Sequence, residues 1–258
     1  MTELGSLDGL PVEALRERCG VPALHVVHRT QSTNDDLRAL AEQGAPAWTT
    51  IVADYQLAGR GRSGQSWHAA PGESLLFSTL VRYAGGASSL TAAPVRAGLR
   101  VARAIEQVAG AHAMVKWPND VYLDDRKVAG ILCEGAANPR TGYIVVGIGI
   151  NVAQQQWPDD LPAAVSLLEA TGRLVSRADL LATVLAELRR SPALPEPLIE
   201  TELVELHARD FLRERHIAVD DAPAGVANGI TTDGELRVIT AGERTRLVRT
   251  GSVRVSEP

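Results

Sequence analysis

The chain has 258 residues, of which 45% are hydrophobic and 22% charged, and its formal net charge is −5. At about 150 residues per domain, this length predicts one large domain, alone or with a small appendage. The acidic balance disfavours a general binder of nucleic acid or anionic membranes, because such binding depends on a surplus of Lys and Arg. No apolar run reaches the roughly 18 residues of a membrane helix, and the start lacks a signal-peptide pattern, so we expect a cytoplasmic protein without membrane attachment.

Cysteine and lysine are both rare in this chain. Cys19 and Cys133 are far apart and form no CxxC, so neither a disulfide framework nor a thiolate metal site is indicated. Of the 26 basic residues, 24 are Arg, and the two Lys are Lys116 and Lys127, which flank Asn119. A coding bias that replaces Lys by Arg explains this ratio. Under such a bias, a remaining Lys is expected where Arg cannot do the same work.

The first half of the chain alternates helix and strand patterns. Ser32 and Thr33, with Asp35 and Asp36 three residues on, predict a capping box that opens a helix ending at Gly44. Together the patterns predict a helix at 11–18, strands at 24–28, 49–55 and 74–82, a Gly/Arg-rich loop at 56–72, and a helix at 92–108.

The second half begins with successive strands and ends in short β segments. A turn at 124–126 joins strands at 121–123 and 127–134, and the segment 143–151 is apolar on both faces, which is typical of a central strand. Ser176 predicts the start of a helix, a Pro-rich break covers 191–197, and a further helix continues to about 215. From His216 onward, turns such as Asn228-Gly229 predict a meander of three or four strands. We therefore predict a catalytic domain at 1–213 and a small β domain at 214–258.

The Gly/Arg-rich loop resembles two phosphate-binding motifs without satisfying either. Residues 59–64 match G-x-G-x-x-G, but the loop continues into a strand, whereas both a dinucleotide fold and a P-loop require it to open a helix. The histidines are dispersed and no G-x-S-x-G is present, which disfavours a His metal site and a serine hydrolase. Arg60 and Arg62 instead supply planar donors suited to carboxylates and phosphates.

Three further segments complete a candidate site. Lys116 to Asp120 bring a cation, an amide and a carboxylate together, and Lys127 with Gly130 follows on the next strand. Gly147 and Gly149 lie on one face of a central strand, where missing side chains leave a slot for a slender substrate. We interpret the set as a site for a carboxylic acid beside a nucleoside triphosphate. The cations of this site would offset the negative charges of the acid and the triphosphate. Mg²⁺ and phosphate oxygens would be held with the help of Asp120, Asn119 and Asn151. The mobile loop would exclude water.

These segments resemble the motifs of bacterial biotin protein ligases, in order and in spacing. The matching segments are STN at 32–34, YQxAGRGRxGxxW at 55–67, KWPNDxYLxDRKxAGILxE at 116–134 and GIGINV at 147–152. The resemblance implies an α/β (α+β) fold, with a class II aminoacyl-tRNA synthetase-like mixed sheet, flanking helices and an SH3-like C-terminal β domain. The family often has Arg where Ser63 and Gln65 stand, which leaves open how tightly this loop orders on the triphosphate.

The resemblance also implies roles for individual residues. Lys127, Arg62 and Asp120 are the implied catalytic residues, and Asp120 is also the implied Mg²⁺ ligand; whether it serves as metal ligand or as base stays open. The implied biotin-binding residues are Ser32, Thr33, Asn34, Gln56, Arg60, Gly61, Arg62, Lys127, Gly130, Gly147 and Gly149. The implied ATP-binding residues are Arg60, Arg62, Trp67, Lys116, Asn119, Asp120, Lys127 and Asn151.

The implied activity is a two-step ligation. Biotin and MgATP form biotinyl-5′-AMP, and the biotin passes to a lysine of the biotin carboxyl carrier protein or domain of an acyl-CoA or pyruvate carboxylase. The alternatives are a lipoate–protein ligase and a non-catalytic biotin-binding regulatory protein. About two dozen residues precede the first strand of the catalytic domain, which is too few for a winged-helix domain, so we expect no DNA partner. We expect a monomer or a weak homodimer.

Overall fold

A seven-stranded mixed sheet forms the centre of the larger part of the molecule. The computed structural model describes residues 2–84, 90–137, 141–158, 163–190 and 192–256. The strands are β1 (Ser6–Leu7), β2 (Leu10–Pro11), β3 (Leu24–Thr30), β4 (Thr50–Gln56), β5 (Ser74–Ala84), β6 (Met114–Lys116), β7 (Asp120–Leu123), β8 (Arg126–Ala137) and β9 (Thr141–Asn151). The large sheet has the order β3-β4-β5-β9-β8-β7-β6, while β1 and β2 form a separate ribbon. Strands β3 and β4 run parallel, and the other neighbours are antiparallel.

Helices cover both faces of this sheet. They are α1 (Val12–Cys19), α2 (Thr33–Glu42), α3 (Ala92–Ala109), α4 (Leu167–Thr171), α5 (Arg177–Leu188) and α6 (Glu200–Arg209). Helix α2 packs Leu37 and Ala41 on one face, against Ile51 and Leu80. Helices α1, α3 and α5 share the larger core on the other face. The predicted mixed sheet with flanking helices is confirmed, and so is the central position of β9.

Two predictions about helix ends are wrong. Ser32 is the residue before α2, as predicted, but its side chain makes no capping hydrogen bond; the N–H groups of Asp35 and Asp36 donate to the Ser32 backbone carbonyl oxygen instead. Helix α6 ends at Arg209 rather than near residue 215. Asp210 leaves the helical conformation (φ −72°, ψ 107°), and the Phe211 N–H donates to the Val115 carbonyl oxygen of β6. The start of α5 agrees with the prediction, since Ser176 accepts from the Asp179 N–H.

The C-terminal segment forms a sheet of its own with five strands, where three or four were predicted. They are β10 (His216–Val219), β11 (Ala222–Ile230), β12 (Leu236–Ile239), β13 (Thr245–Val248) and β14 (Val253–Val255). The order β13-β12-β11-β10-β14 is not a simple meander, because β14 returns to pair with β10.

The small sheet is anchored to the large one. The Trp117 indole is 1% exposed, and its Nε1 donates to the Gly234 carbonyl oxygen at 2.8 Å. Buried side chains of the small sheet, such as Leu236 and Val238, belong to the same apolar cluster as the large core. The boundary at 213/214 stays a prediction. In the predicted Pro-rich break at 191–197, Ser191 lies outside the described residues.

A buried ion cluster joins α3 to α6. Glu202, which is 2% exposed, accepts from Arg96 Nη2 at 2.8 Å and from Arg100 Nη2 at 2.9 Å. Arg96 also donates to the carbonyl oxygens of Ala193 and Glu196. The segment before α6 is therefore tied to α3 through one guanidinium. Within the described ranges, none of the helices is long and apolar enough to cross a membrane.

Candidate active site

The residues singled out from the sequence meet at one cleft beside the central strands. It has a volume of about 290 Å³ and lies between α2, the loop after β4, strands β6 to β9 and the C-terminal sheet. Of the implied site residues, those lining it are Ser32, Thr33, Asn34, Gln56, Arg60, Gly61, Arg62, Trp67, Lys116, Asn119, Asp120, Lys127, Gly130, Gly147 and Gly149. The sheet therefore brings together segments that are far apart in the sequence.

Asn151 is the implied site residue that does not line the cleft. It is 3% exposed at the end of β9, and its Nδ2 donates to the Val165 carbonyl oxygen at 3.1 Å and to that of Lys127 at 3.4 Å. Asn151 therefore supports the backbone under Lys127, and its contact with ATP or Mg²⁺ stays a prediction.

One end of the cleft is a polar cap built on the start of α2. The Thr33 hydroxyl donates to Gln56 Oε1 at 3.0 Å, and the buried Ser78 hydroxyl lies 2.7 Å from Thr33 Oγ1 and 2.6 Å from Asn34 Oδ1. Because a hydroxyl has a single hydrogen, Ser78 donates to one of these oxygens at a time. The Asn34 Nδ2 donates to the Glu134 carboxylate at 2.7 Å. The cap therefore offers ordered donors and acceptors to a small polar group.

Gly147 allows the cap to approach the central strand. A Cβ atom at this position would overlap the Asn34 side-chain amide.

We expect Gly147→Ala to lower the free energy of unfolding by about 1–3 kcal/mol, the usual effect of overpacking a filled interior. Urea unfolding of Gly147→Ala and of a control variant, Gly98→Ala in α3, checks this prediction. There the Cβ would meet Val115 at an ordinary 3.5 Å, so improved helix propensity should stabilise the protein. Equal effects of the two substitutions would contradict this account.

The other end of the cleft holds the two lysines and one carboxylate. Lys127 Nζ lies 2.7 Å from Asp120 Oδ1, in an ion pair, and 5.5 Å from the Trp67 ring centroid. Lys116 faces Asp120 across β6 and β7, and its Nζ donates to the Tyr122 hydroxyl at 3.2 Å. Burial lowers the pKa of Lys116 more than the Asp120 charge raises it. These groups place concentrated positive charge where water is partly excluded, which suits an anionic substrate.

The two loop arginines serve different ends of the cleft. Arg60 Nη2 donates to Asp35 at 2.7 Å and to Glu134 at 2.9 Å, beside the polar cap. Arg62 Nη1 donates to Asn119 Oδ1 at 3.3 Å, and its Nη2 donates to Thr250 Oγ1 at 3.4 Å in the C-terminal part. Burial lowers the pKa of the half-buried Arg62, against the attraction of Asp120. Arg62 thus joins the loop to both sheets.

The glycine slot predicted from the sequence contains the Trp67 indole. A Cβ at Gly149 would lie 2.5 Å from Trp67 Cε2, and one at Gly130 would lie 2.8 Å from Trp67 Cζ3. The backbone N–H of Trp67 donates to the Gly59 carbonyl oxygen at 2.8 Å, so the loop folds back on itself as a narrow ribbon. The absence of two side chains therefore creates a flat surface that accepts the Trp67 ring, and the placement of a substrate on it stays a prediction.

The donor set fits Mg²⁺ only if the metal is bound mainly through a substrate. No group of three or more His, Cys, Asp or Glu able to hold a metal occurs in the described part of the chain. Asp120 is the carboxylate among the cleft-lining residues. One protein carboxylate with substrate phosphates and water is the usual arrangement for Mg²⁺ on a nucleotide.

The sequence reasoning missed several residues that line the cleft or bind its lining residues. Ser78 has one signal, since Ser78 and Thr79 are polar residues between the apolar residues 75–77 and 80–81. Tyr122 and Glu134 lie inside the recognised motif but had been assigned no role. The C-terminal wall formed by residues 251–254 had no signal, because its position depends on how the small sheet docks.

The chain is similar in sequence to known proteins. Residues 26–151 match the model of the biotin/lipoate A/B protein ligase family. Over 245 residues the chain is 33% identical to the biotin–(acetyl-CoA-carboxylase) ligase of Mycobacterium tuberculosis, an alignment that covers 89% of this chain and 88% of that protein. It is 37% identical over 158 residues to the bifunctional ligase/repressor BirA of Bacillus subtilis, covering 60% of this chain and 49% of that protein.

The structure is also similar to solved structures. The biotin protein ligase from Aquifex aeolicus, in complex with biotin and ATP, superposes with a TM-score of 0.76 at 26% identity. The match covers 91% of this chain and 100% of that one. This chain spans about half the length of the curated relatives named bifunctional ligase/repressor. Sequence and structure together show that the chain belongs to the biotin/lipoate A/B protein ligase family.

Proposed function

We propose that this protein is an ATP-dependent biotin protein ligase that modifies a lysine of a biotin carboxyl carrier protein or domain. The observation that carries the proposal is the shape of the cleft, which has a polar cap at one end and a cluster of cations with one carboxylate at the other. The relatives named as biotin ligases, and the similar structure containing biotin and ATP, support the same substrates.

In the first step, the biotin carboxylate attacks the α-phosphorus of ATP. A P–O bond forms, the bond to the pyrophosphate oxygen breaks, and biotinyl-5′-AMP and pyrophosphate result. The barrier arises largely because one anion approaches another, so positioned cations lower it most. Lys127 Nζ lies beside Gly130 and the Trp67 ring, and Arg62 and Lys116 add charge near Asn119 and Asp120. Mg²⁺ bound to the triphosphate would offset further negative charge, with Asp120 as its protein ligand.

In the second step, a carrier lysine attacks the acyl carbon of the adenylate. A C–N bond forms, the C–O bond to AMP breaks, and the amine must lose a proton first, because its reference pKa is about 10.4. We assign to Asp120 the role of orienting the amine or accepting its proton. Lys127 Nζ lies on Oδ1, so either this role or Mg²⁺ binding can use the second carboxylate oxygen, Oδ2.

The polar cap favours biotin over lipoate. A ureido group has donors and acceptors that can add hydrogen bonds to Thr33, Asn34 and Gln56 beyond those that these side chains make within the protein, whereas a dithiolane would add none. The test mixes the protein with MgATP, an unbiotinylated carrier domain, and either biotin or lipoate, and follows pyrophosphate release and carrier mass. We expect a mass gain that depends on biotin. A gain with lipoate alone would support the alternative ligase, and no gain with either acid would refute the proposal.

Arg62→Gly is expected to form the adenylate but to lose it to solvent. The substitution removes the contacts of the loop with Asn119 and Thr250, so the loop no longer closes the cleft. Released biotinyl-5′-AMP would then label lysines of bystander proteins. Mass spectrometry of added serum albumin measures this, with Ser63→Gly, an exposed loop position at φ +53°, as the control. If Arg62→Gly labels only the carrier lysine, retention depends on other residues.

A further inference from the structure

The Glu134 carboxylate connects two parts of the site that are distant in sequence. Its Oε2 accepts hydrogen bonds from Asn34 Nδ2 at 2.7 Å and from Arg60 Nη2 at 2.9 Å. Its Oε1 lies 3.1 Å from Arg38 Nη2 in a further ion pair. The side chain is 26% exposed, so these contacts are partly shielded from solvent. One carboxylate on β8 therefore holds a residue of the cap and the first loop arginine.

The contacts of Asn34 show what Glu134 contributes. The two ends of a side-chain amide have nearly the same shape and differ in hydrogen bonding. A carboxylate only accepts, so Glu134 selects the orientation in which Asn34 Nδ2 points toward β8. The Asn34 Oδ1 then faces the Ser78 hydroxyl at 2.6 Å. Without Glu134, this orientation is held only by the longer hydrogen bond from Asn34 Nδ2 to the Leu132 carbonyl oxygen, at 3.4 Å, among the contacts of the described residues.

Asp35 provides a comparison within the same cluster. It binds the same two arginines, Arg60 at 2.7 Å and Arg38 at 3.6 Å, and it is 46% exposed. The hydrogen bonds of the Asn34 side chain recorded for the described residues go to Glu134, Leu132 and Ser78. Glu134 and Asp35 thus share the arginines and differ in their contact with the cap.

We propose that Glu134 is a positioning residue that sets the affinity and selectivity of the polar cap by holding the Asn34 amide in one orientation beside Arg60. This inference rests on the proposed function, because the ligand concerned is the ureido group of biotin. A planar group with donors and acceptors binds well to only one arrangement of complementary groups. Disorder of the Asn34 amide therefore reduces binding of biotin without changing the nucleotide end of the cleft.

The test measures the KM for biotin, the KM for ATP and kcat in biotin-dependent pyrophosphate exchange. Glu134→Ala is expected to raise the KM for biotin by about 10- to 100-fold, which corresponds to the binding free energy of one hydrogen bond to a charged group. The KM for ATP should change little. Asp35→Ala, the matched control, should change it by at most about fivefold, as for an exposed ion pair. Equal effects of the two variants on the KM for biotin would overturn the inference.

A double-mutant cycle separates positioning from a general structural role. If Glu134 acts through Asn34, adding Glu134→Ala to Asn34→Ala should raise the KM for biotin by no more than about twofold. A second rise as large as the first would show that Glu134 acts independently of Asn34. Glu134→Gln keeps the volume, so it serves if the Ala variant does not fold. The Gln variant should raise the KM for biotin to a value between those of the wild type and Glu134→Ala, since the Gln amide can turn either end toward Asn34. An unchanged KM for biotin would contradict the inference.

The wild-type protein distinguishes failure of this inference from failure of the proposed function. Without biotin-dependent exchange by the wild type, the proposed function is refuted and this inference falls with it. If the wild type is active and Glu134→Ala keeps its KM for biotin, the proposed function stands and the positioning role is refuted.

Discussion

Lys127→Arg should reduce the rate of adenylate formation by about 10²- to 10³-fold, although the positive charge is kept. Lys127 Nζ is a compact charge that lies between the Asp120 carboxylate, at 2.7 Å, and the Trp67 ring. A guanidinium is planar and larger, and it directs its donors in a fixed fork. It can keep the pair with Asp120 only by shifting its charge away from the point where the carboxylate and the α-phosphate meet.

Single-turnover pyrophosphate release with biotin and MgATP measures this effect. The matched control is Arg126→Lys, the reverse exchange at the adjacent position, whose side chain is not part of the cleft wall. That variant should react at nearly the wild-type rate. If Lys127→Arg also retains a near-native rate, then the shape of the cation is unimportant and the rarity of Lys in this chain reflects only coding bias.

Glu202→Gln is the substitution with the largest expected effect on stability. Glu202 is 2% exposed and accepts hydrogen bonds from Arg96 and Arg100, which are themselves buried. Removing one member of a buried ionic cluster leaves the other charges uncompensated, so we expect a loss of about 3–5 kcal/mol in the free energy of unfolding. Urea unfolding at neutral pH measures it. Glu200→Gln, at an exposed position in the first turn of the same helix, is the control and should change stability by less than about 0.5 kcal/mol.

The same cluster predicts a dependence of stability on pH. Burial raises the pKa of Glu202, but the hydrogen bonds and charge of Arg96, with help from the Ile199 N–H and Arg100, lower it more, so the pKa is below its usual value. An acid with a lowered folded-state pKa stabilises the protein fully above its unfolded pKa, about 4.3. This contribution is lost as pH falls through the lowered pKa. Acid titration of the unfolding free energy should therefore show a shallower decline in Glu202→Gln than in the wild type, and parallel curves would contradict this assignment.

Much of the fold and the site could be predicted from local sequence. Alternating and continuous apolar patterns indicated β5, β8 and β9, because a strand's burial on one or both faces appears directly in its side chains. The chemistry of the site was also local, since in any fold Arg62 and Lys127 can bind phosphate oxygens and Asp120 can bind Mg²⁺. The resemblance of the motifs then implied the family that the comparisons show.

The errors and omissions have a common physical cause. Helix α6 was predicted too long because its pattern continues, whereas its end is decided by the contact of Phe211 with β6. The link from Asn34 to Glu134 joins residues 100 positions apart, and the one from Arg62 to Thr250 joins residues 188 apart. Nothing in either segment indicates its partner, since strand order and register decide which side chains meet.

The sequence alone determined the class of chemistry, the order of most elements and the rarity of lysine that drew attention to Lys127. These properties depend on residue types and on the periodicity of apolar residues within short segments, so they can be predicted without knowledge of packing. The tertiary structure decided that Trp67 lies on the glycine strand, that Asn151 lies beneath the cleft and that residues 251–254 complete its wall. Those facts depend on which distant surfaces are buried against each other, and burial is a property of the whole folded chain.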